Sequence, residues 1–210
     1  MKYFNSSQKW INWWKNRKID WGKEYMNPNH PHRELLAQTL KYLPWLSLIE
    51  VGCGAGANLV KITKTIPGRQ VGGVDINPDA IAFAKTMFKN ALLKVNSADN
   101  VILSDQSTDI ILSDMYMIYI TPNKIKKHMD EFKRLARNYV VFMELHSKNW
   151  WDRFVIKWKE GYNVYDWPKL LEKYGFYDVS IYKIPKEAWP ESDLQQKYGH
   201  IIVARTPKYY

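Results

Sequence analysis

The stretch Ile49-Glu50-Val51-Gly52-Cys53-Gly54-Ala55-Gly56-Ala57 ends an apolar run that begins at Leu46 and leads into a segment of helical spacing, Leu59 to Ile66. Glycines at 52, 54 and 56 let the backbone turn sharply and let a ligand lie against the main chain, while the helix that follows offers unpaired N–H groups at its start. A strand, a glycine cluster and a helix in that order are what a nucleotide-binding loop requires. The next short strand, Val71 to Val74, ends at Asp75, where a carboxylate can accept both hydroxyls of a ribose. Gly52-x-Gly54-x-x-Ala57 also satisfies the loose dinucleotide fingerprint. Against that reading, Glu50 at the loop entrance repels a pyrophosphate and welcomes an ammonium group.

Outward from the loop, strands and helices alternate. Pro78 sits in the first turn of a helix carrying Ile81, Ala84, Met87 and Phe88, and Pro122 opens another with Ile125, His128, Met129, Phe132 and Leu135 on one face. Leu92 to Val95, Asp109 to Ser113 and Tyr139 to Met143 read as further strands. This rhythm predicts βαβ units and a parallel sheet covered on both faces. It breaks after residue 147. Trp150 to Trp167 is dense in aromatic and basic residues, a short helix from Pro168 to Tyr174 is capped by Gly175, and two strands, Tyr177 to Ile184 and His200 to Arg205, follow with no helix expected between them. They predict an antiparallel pair. At the other end, residues 3 to 18 read as a helix with Phe4, Trp10, Trp13 and Trp14 among basic residues. The proline-containing loop Asn27 to His32 then precedes a helix from Arg33 to Tyr42.

Of the 210 residues, 46% are hydrophobic and 15% aromatic, which excludes a disordered chain. The single cysteine, Cys53, excludes an intrachain disulfide and reads as a small buried residue. No run of apolar residues is long enough to span a bilayer, and the N-terminus lacks the pattern of a secretory signal, so a cytoplasmic protein is expected. The net charge of +10 favours anionic partners such as nucleic acid, phosphorylated metabolites or a membrane surface. His30 and His32 flank Pro31, but no third ligand accompanies them, and no metal is expected.

IEVGCGAGANL resembles the first motif of the class I S-adenosylmethionine-dependent methyltransferases, and VGGVDINPDAI resembles their second. NSADNVILSDQSTDIILSDM is similar to their adenine-contacting stretch and fourth strand, and MDEFKRLARNYVVFMEL to the helix and fifth strand. YDWPKLLEKYGFYDVSIYKI resembles the helix and sixth strand before the closing hairpin. Together these cover about residues 33 to 205. The resemblance implies a Rossmann-like α/β fold with a seven-stranded sheet ordered 3-2-1-4-5-7-6, strand seven antiparallel. It implies a single domain over residues 1–210, with a helical extension at 1–32 and an aromatic, basic insertion at 147–167 over the acceptor site.

It also implies S-adenosyl-L-methionine as cofactor. Gly52, Gly54 and Gly56 would cradle its methionyl part, with Glu50 near the ammonium, Asp75 on the ribose hydroxyls and Ile76 against the adenine. The acid that commonly meets the adenine amine falls on Ser97 by ungapped counting, and a shortened loop would bring Ala98 and Asp99 there instead. Asp114 would stand where cofactor and acceptor meet. Candidate bases at the strand ends are Asp114, Tyr116 and His146, with Tyr119 beside them; such a group helps when the acceptor is a hydroxyl or protonated amine. The expected acceptor is a small molecule, aromatic or anionic, because rings with basic rims suit such a ligand. The alternatives are RNA held on the basic aromatic flanks and a non-catalytic cofactor-binding module.

Overall fold

The computed structural model describes residues 7–208; Phe4 of the first apolar face lies outside them. Seven strands form one sheet: β1 (Ser47–Val51), β2 (Gln70–Asp75), β3 (Leu92–Val95), β4 (Thr108–Asp114), β5 (Ala136–Leu145), β6 (Tyr177–Lys183) and β7 (Gly199–Arg205). Their order is β3-β2-β1-β4-β5-β7-β6, with the first five parallel and β7 antiparallel to both β5 and β6. This is the expected arrangement. β5 runs longer than the apolar pattern suggests, since Glu144 and Leu145 pair with His200 and Gly199 of β7. A carboxylate in the run hides the strand's true end from a hydropathy reading.

Side chains alternate across the sheet and split the core in two. Ile111, Val140 and Phe142 face one side with Phe132 and Trp167, while Ile110, Leu112, Val141 and Met143 face the other with Leu36, Leu40, Leu59 and Ile62. The first side is covered by α6 (Pro122–Leu135) and α8 (Trp167–Lys173), the second by α3 (Pro31–Lys41), α4 (Ala57–Thr65) and α5 (Pro78–Met87). α3 starts two residues before its expected beginning because Pro31 occupies the first turn, where a missing N–H costs nothing. Two short helices in the N-terminal segment, α1 (Ser7–Lys15) and α2 (Trp21–Glu24), lie near the ends of β1, β2 and β4, and α7 (Trp150–Glu160) follows β5. α9 (Asp193–Tyr198), between β6 and β7, was not expected.

α1 is anchored by a residue of the second motif. Asn77, 1% exposed, caps α5 through its Oδ1, and its Nδ2 donates to the carbonyls of Trp14 (2.7 Å) and Arg17 (2.9 Å). One side chain thereby fixes both the turn after β2 and the helix that lies over it.

Candidate active site

A cavity of about 380 Å³ opens at the C-terminal ends of β1, β2 and β4, the place where open α/β sheets bind ligands. One wall is the glycine loop. Gly52 has φ +71°, and a Cβ there would meet the Tyr116 ring at 2.7 Å, so the position is restricted to glycine by conformation and by space. Gly73 of β2 is pressed as closely: a Cβ would lie 2.6 Å from Cys53. Asp75 closes this wall, accepting from the Gly54 N–H at 2.9 Å and the Asn77 N–H at 2.8 Å. Burial raises its pKa.

Behind the loop is a buried carboxylate pair bridged by an amide. Asn58 Nδ2 donates to Glu50 Oε1 (2.6 Å) and to Asp114 Oδ2 (2.9 Å), and Arg33 donates to Asn58 Oδ1 while standing 3.8 Å from Asp114. Burial, with the nearby Asp114 charge adding to it, pushes Glu50 up to about 8 against the opposing Asn58 bond. Burial acts upward on Asp114 too, but His32, Arg33 and Asn58 outweigh it and hold that carboxyl below its ordinary range. Asp114 is therefore the ionised member of the pair. His32 Nε2 donates to it at 3.1 Å, and burial lowers the His32 pKa, so the ring sits neutral beside the carboxylate.

The opposite wall comes from both ends of the chain. Trp10 and Trp14 of α1 pack on Tyr119 with centroids at 4.9 and 5.6 Å, and Trp14 and Trp21 both meet Tyr25 edge-on. From the β6–β7 connection, Trp189 stacks on His32 at 4.0 Å with planes 14° apart, and Glu191 bonds His30, which in turn bonds His32. A line of hydrogen bonds thus runs from buried Asp114 through His32 and His30 to exposed Glu191. Among the described residues, no group of three or more His, Cys, Asp or Glu is arranged to hold a metal ion.

The expected site residues Glu50, Gly52, Gly54, Asp75, Ile76, Ala98, Asp114 and Tyr116 all line this cavity, as does Ser97. Three expected residues do not. Gly56 caps α4 and faces Phe88 and Ala84. Asp99 turns away to Lys127 at 3.2 Å and accepts from Ser97 Oγ. His146 is built in just past the C-terminal end of β5: its Nδ1 accepts from the Trp167 N–H at 3.2 Å, its backbone N–H donates to the Tyr198 carbonyl, and His200 lies edge-on at 5.0 Å. Tyr116 reaches the cavity with its ring, but its hydroxyl donates to His128 Nε2 at 3.0 Å, and burial raises the phenol's pKa. The segment 147–167 contributes no residue to the cavity wall; its Tyr162 only backs Trp10 and Tyr119.

His32, Arg33, Asn58, Trp189 and Glu191 went unidentified as cavity residues in the sequence. The pair His30-x-His32 was visible, but Glu191 lies 161 positions from His30 and no local signal links them. Glu144, also missed, is fully buried; its Oε1 accepts from Ser113 Oγ, Tyr116 N and Met117 N at 2.8 to 2.9 Å. It clamps the turn after β4, where Met115 takes a left-handed φ of +50°.

Residues 48–138 match a family model described as a methyltransferase domain. Carboxy-S-adenosyl-L-methionine synthase 1 of Yersinia pseudotuberculosis is 29% identical over 104 residues, covering 45% of this chain and 43% of that protein. The polyamine aminopropyltransferase of Neisseria meningitidis is 25% identical over 141 residues, covering 60% and 53%. The matches thus span about half the length of these curated relatives. The geranyl diphosphate C-methyltransferase of Streptomyces coelicolor, solved with Mg2+, geranyl diphosphate and S-adenosyl-L-homocysteine, superposes with a TM-score of 0.69 at 12% identity over 96% of this chain and 98% of that one. The chain thus matches a methyltransferase domain over its motif-bearing residues, 48–138, and shares the fold of a methyltransferase of known structure over nearly its whole length.

Proposed function

We propose that the protein transfers a methyl group from S-adenosyl-L-methionine to a small molecule enclosed between the glycine loop and the aromatic cover. The observation that carries this reading is the position of the ionised, His32-paired Asp114 carboxylate. It opens on the same cavity as Gly52, Gly54 and Asp75.

The residues present fit the cofactor. Glu50 Oε2 and Asp114 Oδ1 are buried without a hydrogen-bond partner, as are the indole nitrogens of Trp10 and Trp21. Buried polar atoms without partners are costly, so their gathering around one cavity suits a ligand with both donors and acceptors. Gly52 and Gly54 leave main chain open where side chains would stand. Glu50 would hold the ammonium group, Asp75 the ribose hydroxyls, and Ile76 and Ala98 the adenine faces. Ser97, which lines the cavity where Asp99 does not, would meet the adenine edge. The bound cofactor supplies a methyl group already activated on a sulfonium.

The chain's remaining work is alignment and proton handling. The cover of Trp10, Trp14, Tyr25 and Trp189 excludes water and offers flat apolar faces to an aromatic acceptor. Asp114, backed by neutral His32, takes a proton from an acceptor hydroxyl or ammonium, and His30 and Glu191 continue the line toward solvent. Among the described residues, five acidic side chains (Glu24, Glu50, Asp75, Asp114 and Glu191), of which Glu50 is protonated near neutral pH, and one arginine, Arg33, line the cavity. That balance supports an uncharged or amine-bearing aromatic acceptor over an anionic one. The names of the two curated relatives describe reactions other than methyl transfer, so the acceptor reaction must be measured directly.

The test is transfer of labelled methyl from S-adenosylmethionine into a fractionated cell extract, with and without ribonuclease. Label in a small, nuclease-resistant product is the expected result. Label lost to ribonuclease would replace this reading with an RNA methyltransferase.

A further inference from the structure

α7 carries an aromatic face that no other part of the described chain covers. Trp150, Trp151, Phe154 and Trp158 are 65, 54, 47 and 60% exposed. At about 100° per residue they fall within roughly one quarter to one third of the helix circumference. Ile156, the buried side chain of α7, points to the opposite side and packs with Ile118, Leu145 and Val164. The helix thus holds the sheet with a narrow aliphatic seam and turns its broad aromatic face outward, inverting the usual pattern of a surface helix.

We propose that this face is a contact for the surface of a lipid bilayer bearing anionic headgroups. Three of the four rings are indoles, which combine an apolar body with one N–H and settle at the boundary of headgroups and acyl chains. Lys157 borders the stripe beside Trp150, Arg153 and Lys159 stand further round the helix on its two flanks, and exposed Lys148 lies just before it. The helix's two acids, Asp152 and Glu160, fall on the side of Ile156. The whole chain carries +10. A nucleic acid fits less well, because the rings pack on one another: Trp150 meets Trp151 edge-on at 5.3 Å, and Phe154 stacks on Trp151 at 5.5 Å. That leaves no splayed platform for successive bases. At eleven residues, α7 lies on a bilayer and does not cross it. Among the described residues no helix is long and apolar enough to span a membrane.

The experiment is co-sedimentation of the full chain with phosphatidylcholine vesicles, with and without phosphatidylglycerol, at low and raised salt. A Trp150→Ser, Trp158→Ser double variant is run beside it, with retained thermal unfolding as the control for its fold. The wild type is expected to sediment with the anionic vesicles, less so at raised salt, and the variant to lose roughly tenfold or more in partitioning, since two indoles no longer leave water for the bilayer surface. A wild type that stays in solution with anionic vesicles, or a folded variant that sediments equally well, overturns the proposal. Loss of RNA or protein capture by the variant with vesicle binding unchanged also overturns it.

Discussion

The two walls of the cavity are built by different means. The glycine-loop wall is built within the sheet: residues 49 to 58, 73 to 77 and 96 to 98 stand at the ends of adjacent parallel strands, and Val74 and Asp75 at the end of β2 fix the turn that follows its neighbour β1. The cover is non-local. Trp10 and Trp14 lean on Tyr119, Asn77 ties α1 to the turn after β2, and Glu191 reaches His30 across most of the chain. A wall assembled within a sheet keeps its geometry when the cover changes, so one fold can keep a cofactor while altering what it acts upon. On the proposed reading, the cover, held by rings and single hydrogen bonds, is the wall that meets the acceptor.

Variants can be chosen to separate the two walls. The largest effect belongs to Gly52→Ala, which puts a Cβ into the Tyr116 ring from a left-handed backbone. Cofactor affinity should fall on the order of a hundredfold, and about 1–3 kcal/mol of stability should be lost, read by calorimetric titration and thermal unfolding. Asp75→Asn should cost roughly ten- to hundredfold in affinity for S-adenosylhomocysteine, as charge-assisted hydrogen bonds contribute about 1.5–3 kcal/mol each. Unchanged binding would remove Asp75 from the ribose role. His32→Ala tests the cover: acceptor turnover should drop ~10²-fold with cofactor affinity within a few-fold of wild type. His146→Ala should leave turnover within about twofold while lowering stability by ~1 kcal/mol, through loss of the acceptor for the Trp167 N–H. Equal losses of turnover in the two histidine variants would erase the distinction drawn between them.

The smallest effect is a slope in stability against pH. Glu50 and Glu144 are both pushed up to about 8 by burial, against an ordinary value of 4.5. Both are protonated in the fold and ionised in the unfolded chain across that interval. Their contribution is therefore complete below about pH 4.5 and lost as the pH climbs toward 8. Glu144→Gln keeps an acceptor oxygen for Ser113, Tyr116 and Met117 and has no proton to lose. It should flatten the decline seen by chemical denaturation at successive pH values; an unaltered slope would mean that Glu144 is already ionised in the fold.

The same contrast governs what could be read from the amino-acid sequence. Strand order, the antiparallel closure and the glycine loop follow from patterns within a few residues: alternating elements, a hairpin with no intervening apolar helix, glycines at fixed spacing. Gly56, Asp99 and His146 show where local patterning fails. Each stands at a position the pattern points to, yet its side chain or its Cα direction is settled by packing with α5, by Lys127, or by Trp167 and His200. The role of His32 could not be read because its meaning depends on Asp114 and Trp189, which the chain brings to it from 82 and 157 positions away (114 − 32 and 189 − 32). The segment 147–167 misled for a similar reason: its rings announce a binding surface, but the helical register turns them away from the cavity.

The account rests on the cavity being a cofactor site bounded by Gly52, Glu50 and Asp75, and titration of the wild-type protein with S-adenosylhomocysteine tests that most directly. One molecule bound per chain, with a thermal midpoint that rises with ligand concentration as mass action requires, is the predicted result. No binding heat and no shift of the midpoint at millimolar ligand would contradict it.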